Sequence, residues 1–66
     1  MDITLNGQTK TLEKTLSITD LLKNLGLVFP HLAVARNDEV VPRSQHARTW
    51  VIDGDKIEII RAVGGG

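Results

Sequence analysis

The spacing of hydrophobic and polar positions changes period along this chain. Residues 2–5 alternate, with Ile3 and Leu5 on one side and Asp2 and Thr4 on the other, as in a half-buried strand. Asn6-Gly7 follows at once. Both central positions of a tight type I′ turn need positive φ, which Asn and Gly tolerate, so the pair predicts a hairpin with Gln8 to Glu13 as the returning strand. From Ser17 the period lengthens. Ile18, Leu21, Leu22 and Leu25 fall at i, i+3, i+4 and i+7, one stripe of an α-helix. Ser17 can cap the first free N–H groups, and Asp20, three residues on, suits both a capping box and the positive end of the helix dipole. Gly26 supplies a left-handed residue to end the helix. A helix of about nine residues is not stable alone. Its leucines 21, 22 and 25 are therefore expected to pack on a sheet, against Ile3, Leu5, Ile57 and Ile59.

Pro30 breaks the chain again. Leu32 to Arg36 predicts a third strand, with alanines at 33 and 35 where something can approach closely. Asn37-Asp38-Glu39 is a turn, and Val40-Val41 a short strand that Pro42 stops or confines to an edge. Residues 43–49 are polar, with one helical turn. Thr49 to Ile52 is extended, Asp53-Gly54-Asp55 turns, and Ile57 to Arg61 forms the last strand. Alternation puts Ile57 and Ile59 on the helix side of the sheet and Ile60 and Ala62 on the other face. The order β-β-α-β-β-β predicts an α+β layer: a mixed sheet of roughly four or five strands with one main helix on one face. The first and last strands are expected side by side in its middle. Residues 1–63 form the domain, and 64–66 a glycine tail.

A length of 66 residues allows one domain. Hydrophobic residues at 41% and charged residues at 24% are those of an ordinary globular chain. Eight basic residues balance eight acidic ones. That balance argues against nucleic acid as the main partner and against an electrostatic membrane anchor. Cysteine is absent, which excludes disulfides, thiolate catalysis and zinc–thiolate sites. A small secreted domain usually needs such staples. With no basic n-region and no apolar h-region at the start, and only short apolar runs such as Leu27-Val28-Phe29, the sequence leads us to expect a cytoplasmic protein with no membrane span.

Candidate chemistry is sparse. His31 and His46 fall in loops without neighbours at ligand spacing, and are expected to be solvated and not to bind metal. Ser44, His46 and Asp53 could be imagined as a triad, but nothing orders them. Two carboxylates flanking Gly54 are too few oxygens for a calcium loop, so that segment is a turn. Trp50 is expected to be a partly buried core or lid residue. The tail differs. Gly64-Gly65-Gly66 follows a regular strand almost directly, buries nothing and costs entropy. Glycines thread where a Cβ cannot, and Val63 to Gly66 would project about 13 Å when extended. Such a tail can present a terminal carboxylate to another protein's active site.

These residues resemble a known family, the bacterial sulfur carriers of thiamin thiazole synthesis (the ThiS family), within the β-grasp, ubiquitin-like group. The resemblance rests on Leu5-Asn6-Gly7, Asp20-Leu21-Leu22, Ala33-Val34-Ala35-Arg36-Asn37, Val41-Pro42-Arg43 and Trp50. It continues through Asp53-Gly54-Asp55-Lys56-Ile57-Glu58-Ile59 to Val63-Gly64-Gly65-Gly66, and so covers essentially the whole chain. It implies a β-grasp fold and a carrier that is not an enzyme and holds no cofactor or metal. It also implies that an E1-like enzyme of the ThiF type adenylates the Gly66 carboxylate. Sulfur from a cysteine desulfurase and sulfurtransferase relay then makes a thiocarboxylate, which supplies a thiazole synthase of the ThiG type. Gly64 and Gly65 would thread the tail, and Ile60 and Ala62 would contact the activating enzyme. The alternatives are the small subunit of molybdopterin synthase, which is usually longer, a ubiquitin-like protein conjugated to lysines, and a β-grasp interaction module with an inert tail.

Overall fold

The structure, a computed structural model, describes residues 1–27 and 32–61. The N-terminal hairpin pairs strand β1 (Asp2–Leu5) with β2 (Gln8–Thr11) across Asn6-Gly7. Asn6 has φ 49° and Gly7 φ 82°, the two positive values that this two-residue turn demands. The return strand ends at Thr11, short of the expected Glu13.

A two-residue strand, β3 (Leu16–Ser17), precedes helix α1 (Ile18–Asn24). The sequence pattern did not predict β3, because two residues carry no period. Ser17 caps the helix as expected, its Oγ accepting the Asp20 N–H at 3.1 Å. The helix is seven residues long, and Gly26 beyond it has φ 72°. Strands β4 (Leu32–Arg36) and β5 (Glu39–Val41) form a second hairpin across Asn37 and Asp38, at φ 52° and 68°. Asn and Asp tolerate this region better than other side chains, which explains a glycine-free turn of this hand. A single 3₁₀ turn, Arg43–Gln45, leads to β6 (Trp50–Val51) and then β7 (Lys56–Arg61).

Strands in the order β2-β1-β7-β4-β5 make the main sheet, and β3 and β6 make a small second one. The β1–β7 pair is parallel, and the neighbouring pairs are antiparallel. The expected mixed sheet with the first and last strands adjacent in its middle is therefore present. The α+β arrangement is a β-grasp fold.

Helix α1 covers one face of this sheet. Leu21 and Ile18 are fully buried, and Ile3, Val34 and Ile57 meet them from the strands. Leu22, Leu25, Leu5 and Ile59 pack half-buried around that centre. Leu12, Leu16 and Val51 complete the core from the small sheet and its approach. Two expectations fail here. His46 is buried, not solvated: its Nε2 lies 3.0 Å from the Val41 carbonyl, and its own carbonyl accepts the Thr19 N–H. Trp50 is 54% exposed, because β6 turns Val51 inward and Trp50 outward. His31 lies outside the described residues.

Asp55 is the one buried carboxylate among the described residues. It accepts from Arg36 Nε at 2.8 Å, Asn37 Nδ2 at 3.1 Å and the Ile52 N–H at 2.9 Å. Burial alone would raise its pKa, but these bonds and the Arg36 charge outweigh it and hold the carboxyl below the ordinary value.

Two predictions follow from this packing. Leu21→Ala should destabilise by ~2–5 kcal/mol, and the half-buried Leu22→Ala by less. An unchanged urea midpoint for Leu21→Ala would contradict the core assignment. The stability that Asp55 contributes is full above the ordinary carboxylate range, about pH 4, and is lost as pH falls through its depressed folded value. Urea titrations of wild type and Asp55→Asn should therefore differ by a constant amount near neutrality and converge below about pH 4. A difference that stays constant into acid would show that Asp55 titrates normally in the fold.

Candidate functional site

The face of the sheet opposite α1 has no covering layer among the described residues. Strand pairing sets what it presents. Val40 lies beside Ala35, and Ala35 beside Glu58. Ala33 lies beside Ile60. Side chains alternate along each strand, so Val34, Val41 and Ile59 turn to the core side while these five share the open face. Ile60 is 58% exposed and Val40 70%. The two alanines between them lower the surface, so a partner can approach the sheet closely.

Ile60 and Ala33 lie toward the end of β7 from which the chain continues, and Val40 and Ala35 lie in the row of Glu58, nearer its middle. Of the residues singled out in the sequence, Ile60 is placed here as expected. Ala62, Gly64, Gly65 and Gly66 lie outside the described residues. Val40 was not anticipated as part of the face. Two adjacent valines before a proline leave the facing of each ambiguous, and only the Val34–Val41 and Ala35–Val40 registers resolve it.

The opposite end of the same face is charged. Lys56 Nζ reaches Asp38 at 2.8 Å and Glu58 at 3.4 Å. Hydrogen bonds to these carboxylates, Asp38 first, raise the lysine pKa further above its ordinary value. The open face thus grades from an ion-paired end at the start of β7 to an apolar end where β7 finishes.

The other candidate groups do not assemble. Asp53 Oδ1 accepts the Asp2 N–H at 2.7 Å, and His46 Nε2 is engaged by Val41. Both hold neighbouring backbone, and nothing arranges them with Ser44 as a nucleophilic triad. Asp53-Gly54-Asp55 is a turn, with φ 87° at Gly54, and both carboxylates are taken by protein donors. Among the described residues, no cluster of three or more potential metal ligands forms. No helix among them is long and apolar enough to cross a membrane.

Comparison with known proteins places this geometry. The model of the ThiS family matches residues 3–66. The Escherichia coli sulfur carrier protein ThiS is 33% identical, over all of both chains. A thiazole synthase from Paramagnetospirillum magneticum is 39% identical over all 66 residues, and one from Magnetococcus marinus 35%. The chain spans only 20% of the length of each of these two proteins. The crystal structure of the thiamine biosynthesis protein ThiS from Geobacter metallireducens superposes with a TM-score of 0.89 at 35% identity, over all of both chains. With sequence and fold matching along the full chain, it belongs to the ThiS family and has its β-grasp fold.

Proposed function

We propose that this chain carries sulfur for thiamin thiazole synthesis on the carbonyl carbon of Gly66, and that it acts as a co-substrate of other enzymes and not as an enzyme itself. One observation carries the reading: a family match that runs through Gly64-Gly65-Gly66, on a strand whose outer face ends in exposed Ile60. A carboxylate is a poor acyl electrophile. Adenylation by an E1-like enzyme transfers AMP from ATP to it and releases pyrophosphate, so the carbonyl gains a good leaving group. A persulfide sulfur from a sulfurtransferase or cysteine desulfurase relay then displaces AMP to give an acyl disulfide. A thiol that attacks the relay's sulfur cleaves the S–S bond, leaving a thiocarboxylate on the carrier and a disulfide on the relay. No cysteine is needed in the carrier, which reconciles a sulfur role with a chain that has none.

Gly64 and Gly65 serve to thread the tail. Without Cβ atoms they let the donors of an activating enzyme crowd the reacting carbonyl, where oxyanion stabilisation acts. Ile60, with Val40 and the alanines beside it, and Ala62 beyond, form the docking contact that brings the tail to that site. The acceptor of the sulfur is a thiazole synthase. The match of this chain to one fifth of two proteins of that name supports the pairing. The setting is the cytoplasm, where the required ATP is available.

Deleting Gly66 draws the carboxylate back by ~3.5 Å. Gly65→Val puts a branched side chain into the threading segment. Both variants should keep the wild-type urea midpoint, yet fail in ATP–pyrophosphate exchange with the activating enzyme and show no oxygen-to-sulfur replacement by mass spectrometry. A shortened chain that is still adenylated and still supports thiazole formation would remove Gly66 as the sulfur-bearing residue. Separately, Ile60→Asp should fold normally and slow adenylation at subsaturating carrier. Unchanged rates there would place the docking contact elsewhere.

A further inference from the structure

Strand β7 outlasts its parallel neighbour. The β1–β7 ladder has the registers Thr4–Lys56 and Leu5–Ile57, and β1 then turns into its hairpin while β7 runs on to Arg61. The hairpin turn nevertheless keeps hold of β7. The Asn6 N–H donates to the Ile57 carbonyl at 2.9 Å. The Asn6 side-chain Oδ1 accepts the Ile59 N–H at 2.8 Å. One residue thus grips two successive β1-facing positions of β7, and a side-chain oxygen replaces the backbone carbonyl that a longer β1 would have offered.

The demand on this residue is narrow. It must sit at φ 49° and carry an acceptor two bonds beyond Cβ. Asn meets both needs. Asp also keeps an oxygen there and tolerates this backbone region, whereas Gly satisfies the turn and loses the acceptor. A role in the turn alone would make Gly an adequate replacement.

We infer that Asn6 is a positioning residue for the tail: its bond to Ile59 fixes the direction in which the end of β7 delivers the chain to the activating enzyme. This rests on the carrier reading above. Beyond Ile57, the opposite edge of β7 is paired with β4 through Glu58–Ala35, Ile60–Ala33 and Arg61–Leu32. On the β1 side the Asn6 bond is the restraint at Ile59. Leverage makes a small change there matter. Threaded in extended form into an active site, the seven residue steps from Ile59 to Gly66 would span about 24 Å, so a pivot of about 10° at Ile59 would displace the far end by about 4 Å. Misplacement by about 1 Å is already costly for a reacting group.

The test compares wild type, Asn6→Gly and Asn6→Asp as full chains in ATP–pyrophosphate exchange with the activating enzyme. Amide hydrogen exchange is followed at Ile59. The inference expects kcat of Asn6→Gly to fall by about tenfold or more while KM for the carrier changes less than about twofold, because the docking face is untouched. Asn6→Asp should recover kcat to within about twofold, and the Ile59 amide should lose protection only in the glycine variant. Wild-type kcat in Asn6→Gly, or an aspartate variant as slow as the glycine one, would overturn the inference. If Asn6→Gly does not fold, the Ile59 amide in the wild type decides: exchange as fast as an open amide shows that the clamp does not form. Failure of the wild-type chain to support any exchange with the enzyme would instead bring down the carrier reading, and this inference with it.

Discussion

Everything in this fold depends on the last strand lying in the middle of the sheet. β7 pairs in parallel with β1 and antiparallel with β4, and its Ile57 is fully buried beneath the helix. Neither neighbour is local in sequence. The N-terminal hairpin can form early, but the sheet closes only when the final third of the chain returns to it, and such long-range pairing is slow to form. What the arrangement provides is a rigid origin for the chain's end. A tail leaving an edge strand would inherit the looseness of that edge. Here the chain leaves a strand held on both sides as far as Ile59 and by β4 to Arg61.

The turn into β7 is secured by charge. Asp55, just before the strand, ties Arg36 and Asn37 of the β4–β5 hairpin to the Ile52 N–H of its own turn. The Asn37 Oδ1 in turn accepts the Lys56 N–H at 2.9 Å. A buried carboxylate is costly unless its oxygens are satisfied, and these are. The gain is in register. If β7 slipped by one residue against β4, its alternation would invert, with Ile57 and Ile59 outward and Glu58 and Ile60 in the core. The Asp55 cluster and the Asn6 clamp bracket the strand at its start and near its end, and both oppose that slip.

Much of this was legible in the sequence where period or turn chemistry was strong. Asn6-Gly7, the Ser17 cap, the leucine stripe and the Asp53-Gly54-Asp55 turn all sit as their residue types require. The failures have a common physical origin. β3 is too short to show a period, and its existence depends on Leu16 and Ser17 meeting Val51 and Trp50 across the chain. His46 looked polar by its neighbours, yet tertiary contacts with Val41 and Thr19 bury it. Trp50 is large and apolar, but the inward place on its strand belongs to Val51. Ile60 could be assigned to the open face by alternation alone. Val40 could not, since its partner Ala35 is known only from the register.

The buried polar groups narrow where chemistry can happen. Ser17 caps a helix, His46 engages a carbonyl, and Asp55 ties the β4–β5 hairpin to the turn before β7. Among the described residues no buried side-chain polar atom is left without a partner. Each such group is committed to holding the fold, so changing its protonation or partners would cost stability. On the reading proposed above, the reacting group is Gly66, which could be altered without disturbing this core. The open face is built to match. Alanines at 33 and 35 keep it flat between Val40 and Ile60, and the ion-paired Lys56, Asp38 and Glu58 leave its far end well solvated. A partner that covered Ile60 and Ala33 would leave the Lys56–Asp38 pair, at the other end of the face, in water.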